Sequence, residues 1–299
     1  MTILITGAFG QLGQVLVRKI GKSKEDVILI DKNENSNFSK NKKIITDITK
    51  NENLKKYKNE LKDVTKLIHL ASYITNDRDV LKSGPESIDL NIMGTINLLR
   101  HLPKIKQIIF TSSYMVYGTP KKRIIDENHP TNPNVVYGAS KLATEKYLQI
   151  FCKELGVKLS ILRMMGIYGV EKSHGQAIPT FIKLISENQN PIIIGSGKEK
   201  RNHLYIDDAI DSILKSIKLE KTGIFNIGGK DMLSNLEIIE NINGIMNKKI
   251  LPKFKKSTNP YYDFITDISK AKNELGFEPM MSIDNGIKNT IKKYNKNNW

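Results

Sequence analysis

Short apolar runs of strand type alternate with segments of helical periodicity along the first half of the chain. Strands are predicted over 3–6, 27–30, 44–46, 66–71 and 108–113, and helices from Leu12, over 54–61, over 88–101 and from Tyr137 to about Glu154. The strands are apolar throughout instead of alternating with polar positions, so both of their faces should be buried. Strands and helices in this order predict an α/β fold with a parallel sheet that helices cover on both faces.

Three glycines lie where the first strand gives way to the first helix. Gly7 would allow a tight turn, Gly10 a close approach of the backbone to a pyrophosphate, and Gly13 close packing of the helix on the sheet. The helix N-terminus would offer unpaired N–H groups to the phosphates. Asp31 follows the second strand and can accept hydrogen bonds from an adenosine ribose. The glycines alone fit an ordinary turn, but the full pattern predicts dinucleotide binding.

The ends of later strands carry further candidate side chains. Asp47 follows the third strand, where it could reach an adenine amino group or cap a helix. Small residues, Ala71 and Ser72, follow the fourth strand and would leave room for a cofactor. His69 lies inside that strand and is interpreted as a core residue with its hydrogen bonds satisfied. No metal site is predicted.

A tyrosine and a lysine are spaced for joint chemistry at the start of the last of these helices. Tyr137 and Lys141 are four residues apart, so they lie on one helical face. An ammonium beside a phenol favours the phenolate and lowers the pKa of the tyrosine from about 10. Such a phenol can exchange a proton with a sugar hydroxyl or carbonyl. Ser113, at the end of the fifth strand, would hydrogen-bond the same oxygen.

Composition adds few constraints to this interpretation. The 299 residues carry a formal net charge of +16, but the lysines are spread along the chain without a nucleic-acid motif. A solvated lysine-rich surface is therefore predicted, with no nucleic-acid partner. The chain has no apolar run of membrane-spanning length and no signal-peptide pattern, so neither a membrane partner nor secretion is expected. The single cysteine, Cys152, is interpreted as inert core and fits the cytoplasm.

These motifs belong to a pattern that extends over nearly the whole chain. The chain resembles the extended short-chain dehydrogenase/reductases, and specifically their NAD-dependent nucleotide-sugar epimerase/dehydratase family. The matching segments are 6–13, Asp31, Asp47-Ile48, 69–71, 91–99, 110–118, 137–141, 195–197, 201–209, 225–229, 267–271 and 275–279.

The resemblance implies a Rossmann doubly wound sheet and a smaller C-terminal α/β substrate domain. It places the main part of the NAD-binding domain in 1–165 and most of the substrate domain in 166–299, with interleaved segments. Implied catalytic residues are Ser113, Tyr137 and Lys141. Implied cofactor-binding residues are Gly7, Phe9, Gly10, Gln11, Leu12, Gly13, Asp31, Asp47, Ile48, Leu70, Ala71, Asn91, Tyr137 and Lys141. Implied substrate-binding residues are Ser113, Tyr114, Tyr137 and Arg201.

Arg201 takes the position that binds the nucleotide diphosphate in this family, and a guanidinium fork suits that role. An ion pair with Asp207 or Asp208 is the alternative interpretation. A homodimer is also implied, built from the helix over 88–101 and the helix from Tyr137. Asp31 favours NAD over NADP because a carboxylate would repel a 2′-phosphate, although the neighbouring Lys32 could offset that repulsion.

Three departures from the family pattern limit the functional prediction. Tyr114 and Met115 stand where dehydratases carry an acid pair, so dehydration is not expected. Gly166 replaces an asparagine that often faces the diphosphate. A second arginine is absent, and Ser257-Thr258-Asn259-Pro260 stands in its place.

The leading hypothesis for function is a nucleotide-sugar 4-epimerase that uses NAD for a transient oxidation at C4. A nucleotide-4-keto-sugar reductase or dehydrogenase with the same residues is the alternative. A non-catalytic dinucleotide sensor is a third hypothesis, which the intact Ser113, Tyr137 and Lys141 disfavour.

Overall fold

The computed structural model describes residues 1–21, 26–35, 41–75, 80–169, 176–256 and 262–297. Its strands are β1 (Thr2–Thr6), β2 (Asp26–Asp31), β3 (Lys42–Ile45), β4 (Val64–His69), β5 (Gln107–Ser113), β6 (Ile124–Ile125), β7 (Lys158–Met164), β8 (Ile167–Tyr168), β9 (Ile192–Ile194), β10 (Lys200–Arg201), β11 (Leu204–Tyr205), β12 (Gly223–Ile227), β13 (Leu233–Ser234), β14 (Lys253–Lys255) and β15 (Ile265–Thr266).

The α-helices are α1 (Gln11–Ile20), α2 (Asn51–Lys55), α3 (Lys58–Leu61), α4 (Val80–Ser87), α5 (Thr95–Leu99), α6 (Val136–Leu155), α7 (Ala177–Ser186), α8 (Ile206–Leu219), α9 (Asn235–Met246), α10 (Ser269–Leu275) and α11 (Ile283–Asn297). A π-helix (Ile88–Gly94) joins α4 to α5, and a 3-10 helix (Tyr114–Tyr117) follows β5.

Seven strands form one sheet in the order β12-β7-β5-β4-β1-β2-β3. The pairs β1–β2, β1–β4, β2–β3 and β4–β5 are parallel, as the pattern of apolar runs predicts. β5 is buried along its whole length, and β1 and β4 are buried at nearly every position. The doubly wound parallel sheet expected from the sequence is confirmed. The carboxyl ends of β1, β4 and β5 lie side by side along this sheet, and the candidate residues follow them.

The helix predicted over 88–101 differs from the observed one in extent and in form. The helical segment begins at Val80, ends at Leu99 and widens into a π-helix in the middle. The reason lies at the carbonyl of Asn91, which accepts hydrogen bonds from the hydroxyls of Thr95 and Thr144, both at 2.8 Å. These hydroxyls compete with the regular backbone ladder, which favours a wider turn. The helix predicted over 54–61 is likewise two short helices, α2 and α3.

The chain divides into two compact units, each made of several segments. The first comprises residues 1–118, 130–163 and 210–225, and the second comprises 119–129, 164–209 and 226–299. Each unit therefore takes segments from both sides of residue 165. The second unit contains short strand pairs: β10–β13 is antiparallel, and β8–β11, β9–β14 and β6–β15 are parallel.

Membrane-spanning helices are missing from the described ranges, in which no helix is both long and apolar enough to cross a bilayer.

Candidate active site

The turn between β1 and α1 is closed so tightly that only glycine fits at two of its positions. Gly7 has φ +63°, and a Cβ there would lie 2.7 Å from the backbone nitrogen of Ala71. A Cβ on Gly13 would lie 2.3 Å from the carbonyl oxygen of Gly7. Gly10 is the N-cap of α1 and supplies no side-chain cap, so the first N–H groups of the helix remain available to a ligand. This cradle fits a pyrophosphate.

Asp31 ends β2 and holds the glycine loop in place. Its Oδ2 accepts a hydrogen bond from the Phe9 N–H at 2.9 Å, and its Oδ1 accepts one from the Asn33 N–H at 3.0 Å. A carboxylate has about four acceptor positions, and the described residues use two of them, which leaves two for ribose hydroxyls. Asp31 thus shapes the loop and keeps the capacity to bind a ribose.

Four further residues predicted to bind the cofactor differ in their contacts, namely Asp47, Ile48, Leu70 and Ala71. Asp47 accepts a hydrogen bond from the Thr49 N–H at 2.9 Å, which is a local cap of the kind weighed for it from the sequence. Ile48 is buried, and its side chain lies 3.0 Å from the position of a Cβ on Gly94. Leu70 and Ala71 follow β4 and are partly buried, with the Ala71 backbone against Gly7. Ile48 and Ala71 therefore contribute close packing, whereas Asp47 is engaged in its own turn.

Asn91 lies in the π-helix, where its amide group is fully engaged within the protein. Its oxygen accepts hydrogen bonds from the Tyr73 N–H at 2.8 Å and the Ser72 hydroxyl at 3.1 Å. Its nitrogen donates to the Tyr73 carbonyl at 3.2 Å and to Ser140 at 2.8 Å. These four bonds use the whole hydrogen-bonding capacity of the amide. Asn91 therefore fixes the segment after β4, and direct binding of a cofactor by its amide, as the family resemblance implies, would require one of these bonds to break.

The first turn of α6 lies against the 3-10 helix that follows Ser113. A Cβ on Gly138 would lie 2.5 Å from the carbonyl oxygen of Met115, so a glycine is required for this approach. The buried hydroxyl of Ser113 accepts a hydrogen bond from the Met115 N–H at 3.2 Å. Its proton remains available for a substrate oxygen. Tyr114, the next residue, is half-buried.

Tyr137 lies in the first turn of α6 and is 8% exposed. Burial raises the pKa of its phenol to about 12, and a hydrogen bond with the Ser72 hydroxyl partly offsets this. The expected lowering of this pKa by Lys141 is therefore wrong, because the cost of burying a phenolate is the largest effect on it. Sequence reasoning also missed the contact with Ser72, since nothing in the sequence links positions so far apart.

Lys141 is 1% exposed and lies beneath Tyr137 on the same face of α6. Its Nζ donates a hydrogen bond to the Thr111 carbonyl at 2.8 Å and lies 4.6 Å from the centroid of the Phe110 ring. The distance from Nζ to the centroid of the Tyr137 ring is 5.9 Å. Burial lowers the pKa of this amine to about 7, against an opposing effect of Glu145. Lys141 is thus close to Tyr137 and can change its charge near neutral pH.

Glu145, one further turn along α6, forms a buried ion pair that the sequence did not suggest. Its carboxylate accepts hydrogen bonds from Arg163 at 2.7 to 3.3 Å and from the Ser112 hydroxyl at 2.5 Å. The guanidinium carbon of Arg163 also lies 4.8 Å from the centroid of the Tyr117 ring. This cluster joins the end of β7 to the residues that flank Ser113.

Two further predictions concern core residues, and both are confirmed. His69 is buried between Thr6 and Thr95, whose hydroxyls lie 2.7 and 2.8 Å from its ring nitrogens. Burial lowers its pKa to about 3, so the ring stays neutral. Cys152 is a free, buried thiol, and burial raises its pKa to about 12. Neither residue offers a reactive group.

Arg201 belongs to the second unit, on β10. It is half-buried, pairs with Leu233 on β13 and forms a backbone bridge to Phe264. In the described ranges its guanidinium takes part in no ion pair, so the alternative pairing with Asp207 or Asp208 does not occur there. Its charge remains available for an anionic ligand.

Two of the three departures from the family pattern concern the predicted nucleotide-binding site, at Gly166 and at residues 257–260. Gly166 precedes β8, and a Cβ built on it would lie 3.5 Å from Nδ1 of His203. The segment 257–260, where the second arginine is missing, lies outside the described residues.

Comparison with known proteins identifies similar chains. A Methanocaldococcus jannaschii protein, provisionally named as a UDP-glucose 4-epimerase, is 34% identical over 99% of both chains. The dTDP-4-dehydro-6-deoxyglucose reductase of Escherichia coli is 37% identical over 62% of this chain and 61% of that protein. The crystal structure of UDP-glucuronic acid 4-epimerase from Bacillus cereus, in complex with UDP-glucuronic acid and NAD, is 28% identical and has a TM-score of 0.88 over 99% of both chains.

A sequence model matches residues 3–228, and the family it represents is described as "NAD dependent epimerase/dehydratase family". This match includes the glycine loop, Ser113, Tyr137, Lys141 and Arg201. The chain belongs to the NAD dependent epimerase/dehydratase family.

Proposed function

We propose that this chain is an NAD-dependent nucleotide-sugar 4-epimerase in which Tyr137 is the acid/base. The observation that carries the proposal is the placement of Ser113, Tyr137 and Lys141 in the same unit as the glycine cradle. The three side chains are all buried, which is the environment in which proton transfer groups have shifted pKa values. Relatives and solved neighbours named as 4-epimerases support the choice of reaction.

The residues of the first unit fit a dinucleotide. The cradle of Gly7, Gly10 and Gly13 would hold the pyrophosphate, and the remaining acceptor positions of Asp31 would hold a ribose. When bound, NAD supplies the acceptor for the hydride that leaves C4 and the donor that returns it. The chain itself supplies the proton chemistry and the orientation.

Tyr137 takes the proton of the C4 hydroxyl as the C4 carbon becomes a carbonyl, and it returns the proton after the ketosugar has turned over. Because burial holds its pKa at about 12, the phenolate needs support from nearby groups. The ammonium of Lys141 provides it, because the Ser72 proton is already donated to Asn91. Ser113 donates its free proton to the reacting oxygen and aligns it. Arg201 of the second unit binds the diphosphate with its guanidinium fork.

A nucleotide-4-keto-sugar reductase is the second candidate, and one observation favours it. The Escherichia coli relative is named as a reductase and is 37% identical over part of the chain. The same side chains would serve that reaction, and only the fate of the cofactor would differ. Dehydration is disfavoured because Tyr114 and Met115 provide no acid and no base beyond Ser113.

One experiment separates the candidates. Purified protein is analysed for bound dinucleotide and is then incubated with UDP-glucose and UDP-glucuronic acid that carry deuterium at C4. An epimerase retains NAD, forms the 4-epimer of one of them with the deuterium still at C4, and accumulates no NADH. Net consumption of added NADH with a 4-keto sugar, and no epimer, would establish the reductase instead.

Self-association and location belong to the same proposal. Large apolar side chains are exposed on the outer faces of α4, the π-helix and α6, namely Val80, Leu81, Ile88, Met93 and Ile150. Exposed apolar patches of this kind are typical of interfaces, and a second copy of this chain would cover them.

A cytoplasmic location agrees with the sole cysteine being a free thiol.

A further inference from the structure

A ring nitrogen of His203 is buried in the second unit without a hydrogen-bond partner. His203 is partly exposed as a residue, but its Nε2 is shielded from solvent and bonds to none of the described residues. Buried polar atoms of folded proteins nearly always have a partner, and leaving one unpaired is destabilising. An unpaired atom of this kind therefore points to a group that binds there.

The hydrogen bond made by the other ring nitrogen, Nδ1, determines whether the partner of Nε2 must be a donor or an acceptor. The ring of His203 hydrogen-bonds the carbonyl of Gly166, which can only accept. Since Nε2 has no partner among the described residues, Nδ1 is the donor in this bond. Burial, with a smaller contribution from the charge of Arg201, lowers the pKa of His203 to about 4, so the ring is neutral. Nε2 then carries a lone pair and requires a donor.

The surroundings of His203 indicate where that donor comes from. Asn202 is buried, and its amide donates to the carbonyl oxygen of Thr266 at 3.1 Å. Arg201 and His203 flank it and are both partly exposed. A Cβ built on Gly166 would lie 3.5 Å from Nδ1 of the ring, which is van der Waals contact. A cation and a neutral acceptor thus lie within three residues of each other, on two partly exposed residues.

We infer that Nε2 of His203 accepts a hydrogen bond from a hydroxyl or imide N–H of the substrate whose diphosphate Arg201 binds. This inference rests on the proposed function. A nucleotide sugar offers both groups, since it carries phosphate charge beside ribose, sugar and base donors. His203 is then a specificity residue that selects for a donor and discriminates against ligands that present only phosphate oxygens.

Two substitutions of nearly matched size test the inference. In His203→Asn, the amide can keep the bond to Gly166 but leaves no atom at the position of Nε2. In His203→Gln, the longer side chain can bring an amide oxygen to that position. Binding of UDP and of UDP-glucose to each variant is measured by calorimetry, with thermal unfolding as a check on folding.

The inference predicts that His203→Asn weakens binding about tenfold or more, whereas His203→Gln stays within a few-fold of wild type. A loss with both ligands assigns the donor to the nucleoside, and a loss with UDP-glucose alone assigns it to the sugar. Equal binding by wild type and both variants would overturn the inference. If wild type itself binds neither ligand, the proposed function fails instead.

Discussion

Arg163 donates hydrogen bonds to both carboxylate oxygens of Glu145, with Nη2 at 2.7 Å from Oε2 and Nε at 3.1 Å from Oε1. The two side chains are 2% and 0% exposed. Glu145 also accepts a hydrogen bond from Ser112, the neighbour of Ser113, and lies one turn beyond Lys141 on α6. This pair therefore supports both the strand end and the helix face that carry the candidate chemistry.

The substitution Glu145→Gln should destabilise the protein strongly. It leaves the charge of Arg163 buried without its counter-charge, and breaking a buried ion pair in this way costs about 3–5 kcal/mol. Urea unfolding of the two proteins measures the difference. Glu278→Gln is the control, because its ion pair with Lys272 is exposed and should contribute little. Equal loss of stability in both variants would contradict the importance of burial.

Asp31 should select NAD over NADP. The carboxylate would lie near the ribose hydroxyls and repel a 2′-phosphate, while Lys32 is exposed beside it. Asp31→Asn keeps an oxygen that can accept from the Phe9 N–H but removes the charge. Titration of both cofactors should show tighter NAD binding by wild type and about tenfold or greater loss of that preference in the variant. Tighter NADP binding by wild type would contradict this assignment.

The loss of Arg201 should act mainly on substrate binding. Burying a diphosphate without a cation is costly, so Arg201→Ala should raise KM much more than it lowers kcat. A nucleoside diphosphate should inhibit the wild type and barely affect the variant. Lys200→Ala removes the neighbouring cation, whose partner is Glu237, and should leave inhibition intact. If Arg201→Ala bound the nucleotide as tightly as wild type, a substrate without phosphate would become the better proposal.

The exposed apolar faces of α4 and α6 should mediate a homodimer. Leu81 is 86% exposed and Ile150 is 65% exposed, so a second copy of this chain could cover both side chains. Light scattering at micromolar concentration should give the mass of a dimer for wild type and of a monomer for a Leu81→Glu, Ile150→Glu double variant. Leu251→Glu, an equally polar change at a 74% exposed leucine outside these helices, should stay dimeric. A monomeric wild type would exclude this interface.

Local steric requirements made the fold and the cofactor cradle predictable from the sequence. Gly7 and Gly13 are required by the backbone of the glycine loop and of the segment that follows β4. Apolar runs such as 108–110 favour a buried strand. The π-helix was not predictable, because it depends on the hydroxyl of Thr144, which lies 53 residues from Asn91.

The electrostatics of the site were less accessible to sequence reasoning. The spacing of Tyr137 and Lys141 identified the pair. Their pKa values depend on burial, together with Ser72 for Tyr137 and Glu145 for Lys141. The same limit applies to Glu145 with Arg163, and to the unpaired nitrogen of His203. Each of these relationships joins distant positions, and none has a sequence signature of its own.

The central claim is that Tyr137 moves the proton in the reaction at C4. The most direct measurement is the initial rate of 4-epimerisation by Tyr137→Phe, with dinucleotide binding measured on the same preparation. The variant loses only the phenolic hydroxyl, so turnover should fall by about 10² or more while dinucleotide binding persists. A near-normal rate of epimerisation by Tyr137→Phe would contradict the mechanism.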